Sequence, residues 1–385
     1  MNPLGMDPVV LGERLKLARS RSSRTQEVAA RELKLARTTL IAIEQGERRL
    51  QREELNAMVT LYGTSINELA RSSVVRVELM PRFRALSGAP NDAALGAARL
   101  LGDLATAECE LEQLLNQPLR RNYPAERALF PGDIREQAET ASLELRHRLG
   151  LGLGPISDIV SLLELEMGVR IFVRPLADSK ISGLFAFDET VGACILLNAH
   201  HPRERRAMTA SHELGHLISA RDRPDVLFLD SPAQAREEKF ATAFGVAFLM
   251  PATTTRSRFA ELVREAGRFS PRHLIILAHV NNVSYEAMCR RMEELSLLPE
   301  GTWESLKERG FSGSLASEVL GDGGRATEKQ IIPPRLWLLA SEAHEKGLLT
   351  EGQLSELLHV DRVDVRRILD LGTADNDLQP QTSAS

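Results

Sequence analysis

The 385-residue sequence predicts a mostly α-helical chain enclosing one small antiparallel β-sheet, preceded by an all-α domain at the N-terminus. Three observations predict it. Leu and Ala recur at helical spacings through most of the chain, while aromatic residues make up only 4%, so the cores are built from aliphatic side chains on helices. Three short apolar runs, 169–173, 183–187 and 193–197, are separated by turn-forming residues and read as strands. Shortly after them, within 209–218, His212, Glu213 and His216 follow the pattern His-Glu-x-x-His on a helix.

Residues 9–71 read as five short helices, the first striped by Val9, Leu11, Leu15 and Ala18. From Gln26 the spacing is that of a helix-turn-helix. Small Ala30 allows a close crossing, Leu33 and Leu35 are apolar, Leu40 and Ile43 face the core, and Glu44 and Gly46 close the third helix. With the succeeding helices 53–62 and 66–70, this stretch resembles the Xre/Cro type of phage-repressor DNA-binding domain. The resemblance implies that the third helix enters the major groove, that Arg37, Thr38 and Thr39 at its start meet base edges, and that Gln26 positions the DNA backbone. Two residues depart from the pattern: Lys34 stands where a turn glycine is usual, and Ala36 where Ser or Thr would cap the helix, at a cost of about 1 kcal/mol. The other reading is a helical interaction module that binds no DNA.

Residues 76–130 form a helical connector punctuated by turns at 87–90 and 122–124. Its long helix carries Ala93, Ala97, Leu100, Leu104, Ala107, Leu111 and Leu114 in a heptad pattern. Two uses fit: a homodimer seam through residues 93–114, suited to a two-fold DNA site, or packing along the chain's own following domain. An amphipathic helix at 134–149 and another at 156–167 then lead to the strands. The last strand, 193–197, is expected to edge a cleft, so that an extended substrate adds to it with Asn198 as anchor.

In the motif helix, positions i and i+4 share a face, so His212 and His216 offer two imidazole nitrogens to one Zn2+, with Glu213 as general base. A third donor is needed, and Glu238 is the best candidate. It heads the helix 238–251, whose Phe240, Phe244 and Phe248 bury one face. Glu237 competes, and both glutamates would also favour a helix N-terminus with no ligand role. His200 and His201 read as ordinary loop histidines.

Four ordered stretches, 149–156 (Gly-rich), 195–198 ending in Asn, 209–216 and 238–251 closing on Met-Pro, resemble the ImmA/IrrE family of metallopeptidases. The resemblance implies a zincin-like α+β domain over 131–300, one zinc on His212, His216 and Glu238, and hydrolysis of a repressor protein in a stress or phage-induction response. Here Phe240-Ala241-Thr242 replaces the usual Glu-Ala-Asn, which alters polarity around the metal and leaves the ligand count untouched. Downstream, 271–280 and 284–295 read as a helix pair packed beside the catalytic core, 301–372 as a C-terminal helical domain with another helix-turn-helix-like unit, and 373–385 as a disordered tail.

Composition fits this organisation. No apolar run is long enough to span a bilayer and no basic-then-apolar leader is apparent, so no membrane partner and a cytoplasmic location are expected. Cys109, Cys194 and Cys289 are too few and too scattered for a disulfide framework or a thiolate zinc site. Residues 1–75 carry a net +3 and the remainder −8 of the total −5, a mild basic excess compatible with DNA contact. The alternative to a protease is a DNA-binding transcription factor whose zinc fold only senses a ligand or partner.

Overall fold

The computed structural model describes residues 7–22, 24–64, 66, 69, 92–228, 235–311, 320 and 332–373. Most of the expected fifth N-terminal helix at 66–70, the turn at 87–90 and most of the expected tail lie outside them. The chain divides into two units, Met1–Val74 and Val75–Ser385.

In the first unit, α1 (Pro8–Arg21), α2 (Gln26–Glu32), α3 (Arg37–Glu44) and α4 (Arg52–Tyr62) surround Leu11, Leu15, Ala29, Ala30, Leu40, Ile43, Leu55 and Met58. Pro8 sits in the first turn of α1 behind the N-cap Asp7, which accepts from Val9 N at 2.8 Å. The α2–α3 turn shows both departures foreseen in the sequence. Lys34 takes φ +56°, and Ala36 leaves the start of α3 without a side-chain cap. A buried ion pair, Arg19 Nε to Glu44 Oε1 at 2.6 Å, ties α1 to the end of α3.

The second unit is built on a four-stranded sheet in the order β1-β3-β2-β4: β1 (Arg170–Arg174), β2 (Ile181–Asp188), β3 (Gly192–Asn198) and β4 (Asp225–Phe228). The sheet is mixed, which corrects the antiparallel expectation. A tight turn, in which Asp188 Oδ1 accepts from Thr190 N at 2.8 Å, folds β3 back between β1 and β2. After two reversals β3 runs parallel to β1. Nor does β3 edge a cleft, because it is flanked on both sides and buried throughout.

Alternation sorts the strand residues into two cores. Phe172, Leu184, Ala186, Cys194 and Leu196 face a cluster with α5 (Asp92–Leu115), and Ile171, Val173, Phe185, Ala193, Ile195 and Leu197 face a cluster with the motif helix. A sheet covered on both faces has continuous apolar strands, as these are. On the motif-helix side lie α6 (Ile134–Arg148), a short helical segment α7 (Ile159–Ser161) running into a π-turn at Leu162–Glu166, α8 (Arg203–Ser219), α9 (Arg236–Leu249), α10 (Ala252–Ala266), α11 (Pro271–Val280), α12 (Tyr285–Glu294) and α13 (Thr302–Glu308). On the other side, α14 (Pro334–Glu345), α15 (Glu351–Leu358) and α16 (Arg362–Thr373) share one core with α5.

That shared core decides between the two uses of the heptad helix in favour of packing within the chain, and the C-terminal helices are not a domain apart. In the stripe offered as a homodimer seam, Ala97, Leu104, Ala107 and Leu111 are buried against the sheet and C-terminal helices, and Leu114 is well exposed. The sequence pattern is the same for a seam and for a buried stripe, and the sheet supplied the partner.

A buried charge network pins these layers together. Arg170 donates to both oxygens of Glu112 at 2.7 and 2.9 Å, and Arg335 donates to Glu112 at 2.7 Å. Glu108 pairs with both arginines. Beside it, Glu164 Oε2 accepts from Arg335 N at 2.8 Å at the start of α14. Burial pushes the Glu164 carboxyl up to about 8; the backbone hydrogen bond from Arg335 opposes the rise and the charge of Glu108 adds to it. The folded chain therefore keeps a proton that the unfolded chain has released above its ordinary value of 4.5. Stability from this group is full below that value and is lost as pH rises through about 8. Glu164→Gln, which cannot ionise, should flatten the fall of the urea midpoint between mildly acidic and mildly alkaline pH; an unchanged slope would show that Glu164 does not hold the proton.

Candidate metal centre

Helix α8 has no side-chain cap at Pro202 and is held by burial instead, every residue from Thr209 to Ile218 being buried. It delivers His212 and His216 one turn apart with Nε2 atoms 3.1 Å from each other. Helix α9 crosses it closely. Gly215 makes that crossing possible, since a Cβ there would lie 2.6 Å from Ala241 Cα. The phenylalanines foreseen in the sequence, Phe240, Phe244 and Phe248, stack along the buried face of α9.

The crossing brings Glu238 to both imidazoles, with Oε1 at 3.2 Å from His216 Nε2 and Oε2 at 3.5 Å from His212 Nε2. Glu237, the competing neighbour, instead pairs outward with Arg223 at 3.0 Å. Thr242, one turn beyond Glu238, places its hydroxyl 3.3 Å from His212 Nδ1. A hydrogen bond there holds the imidazole with Nε2 turned toward the cluster. The residue that departs from the resembled pattern thus supplies the outer contact.

A fourth candidate donor escaped the sequence reading. Asp225 opens β4, and its Oδ2 lies 3.7 Å from His216 Nε2. One donor atom from each of His212, His216, Asp225 and Glu238 falls within 4.8 Å of all the others. Zinc with ligands at about 2.0–2.1 Å requires tetrahedral donor separations of about 3.3 Å, and the spacings of 3.1, 3.2 and 3.5 Å among His212, His216 and Glu238 fit it. The only hint in the sequence was an acidic residue opening a short apolar run after the motif helix.

Glu213 points to the same centre. It is fully buried, and neither carboxylate oxygen has a hydrogen-bond partner among the described residues. Burial, reinforced by the charges of Asp225 and Glu238, raises its carboxyl well above the usual range. Burial would likewise raise Glu238, but hydrogen bonds from both imidazoles outweigh it and hold that carboxyl low. For His216 burial acts downward, and Glu238 and Asp225 overcome it and raise the imidazole. Two carboxylates crowded on two imidazoles, beside an orphaned buried carboxyl, form a charge arrangement that a divalent cation balances.

Asn198 does not lie where a substrate anchor was expected. It is fully buried; its amide nitrogen donates to Ile181 O at 2.8 Å and its oxygen accepts from His200 N at 3.0 Å. It fastens the end of β3 to the start of β2, which leaves it no face toward a substrate. His201 is buried too, its ring bonded to Ser179 O at 2.8 Å. In the N-terminal unit Arg37 and Thr38 are exposed at the start of α3 and Thr39 is half-buried. Gln26 donates to Glu44 Oε2 at 2.8 Å, beside the Arg19 ion pair.

The fold and the donor cluster fit a metallopeptidase-like domain joined to a helix-turn-helix domain. Family models agree: residues 165–293 match the peptidase M78 model, described as an IrrE N-terminal-like domain, and residues 10–71 match a helix-turn-helix domain. No curated protein matches the chain. Among the described residues no helix is long and apolar enough to cross a membrane.

Proposed function

We propose that this chain is a DNA-binding transcriptional regulator that also cleaves a repressor protein, using one zinc held by His212, His216 and Glu238. The observation that carries the reading is the convergence of these three donors on one point with the buried carboxyl of Glu213 beside them. Bound zinc supplies Lewis acidity toward both the attacking water and the scissile carbonyl. Glu213 takes the proton of that water at a carboxylate oxygen and passes it to the leaving amine. Thr242 orients His212, and the packing of α9 fixes Glu238. The test is a comparison of proteins bearing new N-termini in cells carrying the intact chain or Glu213→Gln, before and after stress. One regulator cut at one position only with the intact chain supports the reading; no cut protein, with normal switching of target genes, favours a ligand-sensing factor.

The N-terminal unit carries the DNA half of the proposal. Arg37 and Thr38 are exposed at the start of the second helix of the motif, and this exposure supports reading them as the residues that reach base edges. The full chain should bind a palindromic duplex with affinity that falls steeply with salt, because phosphate contacts release counterions. Arg37→Ala should weaken that binding by about 1–3 kcal/mol. Equal affinity for specific and scrambled duplexes at moderate salt would make this unit a protein-interaction module.

A further inference from the structure

Asp225 is the one donor that the motif helices do not supply, and it arrives on a strand of its own. β4 pairs antiparallel with β2, setting Asp225 opposite Phe185 and Leu227 opposite Gly183. Both β2 residues abut the motif helix. The Phe185 ring stacks on His216 with centroids 6.4 Å apart, and a Cβ on Gly183 would lie 2.5 Å from Thr209 Cγ2 and 3.3 Å from Glu213 Oε1. β2 therefore runs along the catalytic helix, and the edge not taken by β3 is the one an extended peptide would use to lie across the centre.

We propose that Asp225 is a fourth donor to the metal and that β4 occupies the place of a substrate strand, so that the resting centre is closed and hydrolysis requires β4 to leave the β2 edge. The inference rests on the reading of His212, His216 and Glu238 as ligands. Two independent features converge on it. Peptide capture by strand addition needs unpaired N–H and C=O groups along an edge, and β4 has taken those of β2. A catalytic zinc needs one coordination position free of protein, and Asp225 Oδ2 stands at that position, shielded from solvent and without a hydrogen-bond partner among the described residues. One strand thus takes the docking edge and carries the side chain set at the open position. The lock is built to release: β4 is four residues long, half-buried throughout, and its pairing is interrupted by an irregularity between Ile181 and Gly183.

The experiment uses the full chain loaded with zinc or cobalt. Asp225→Asn keeps the size of the side chain and the strand, and should lower zinc affinity in competition with a chromophoric chelator by at least about tenfold. It should change the visible absorption of the cobalt form and raise basal hydrolysis of an unstructured peptide several-fold. Asp225→Glu, which restores a carboxylate, should return the cobalt spectrum toward that of wild type. An Asp225→Asn protein with wild-type zinc affinity and cobalt spectrum overturns the fourth donor, and one with altered metal binding but lowered hydrolysis overturns the closure. Failure of the underlying site looks different: wild type would bind no metal, or His216→Ala would keep it.

Discussion

Glu213→Gln should lower peptide cleavage by at least about 100-fold while leaving one equivalent of metal and DNA binding in place. The expectation follows from what the substitution changes. Gln has the shape of Glu, and Glu213 makes no hydrogen bond to any described residue that an amide would lose. The imidazoles, Glu238 and Asp225 stay where they are. What disappears is, among the described residues, the buried group at the centre able to accept a proton from water without also being a candidate ligand. Cells carrying this variant should accumulate uncut repressor and fail to switch on its target genes. If they switch normally, and no fragment forms with the intact chain, the zinc fold acts as a sensor and Glu213 is a structural carboxyl.

His216→Ala should bring zinc below about a tenth of an equivalent in protein purified without chelator, against about one in wild type. His216 touches each of the other donors: His212 at 3.1 Å, Glu238 at 3.2 Å and Asp225 at 3.7 Å. Its loss leaves two carboxylates facing one imidazole. Metal that binds only the folded chain stabilises it by about 2.7 kcal/mol at a hundred times its dissociation constant. Wild type should therefore melt several degrees lower after chelation, and the variant should melt alike with and without chelator. Undiminished zinc in the variant would remove the site.

Much of this centre was legible in the sequence, for a physical reason. His212, Glu213 and His216 lie within one helical turn, so spacing alone places them together, and Glu238 heads a helix whose phenylalanine stripe announces a buried crossing. Asp225 was not legible, because its position depends on a four-residue strand pairing with β2, a contact that no local periodicity encodes. The same limit explains the sheet. Apolar runs marked β1, β2 and β3 as buried strands, but the parallel pairing of β1 with β3 follows from the order of strands in space. Asn198 was misread for a related reason: a polar residue at a strand end looks like an anchor until its partners, Ile181 and His200, are known. The heptad stripe of α5 named the face to be buried and left its partner open.

The charge network at Arg170 bears on how this protein can be divided. The matched peptidase segment, 165–293, ends well before Arg335 and begins well after Glu108 and Glu112, yet Arg170 lies within it and is nearly fully buried. Excising that segment would strip Arg170 of both carboxylates and bare the sheet face that α5 and α14 cover. The motif helix is thus no transplantable cassette. Recombination that exchanged it between chains would have to carry along a helix from before the sheet and three from near the C-terminus, so these flanks are expected to be inherited with the matched segment as one block.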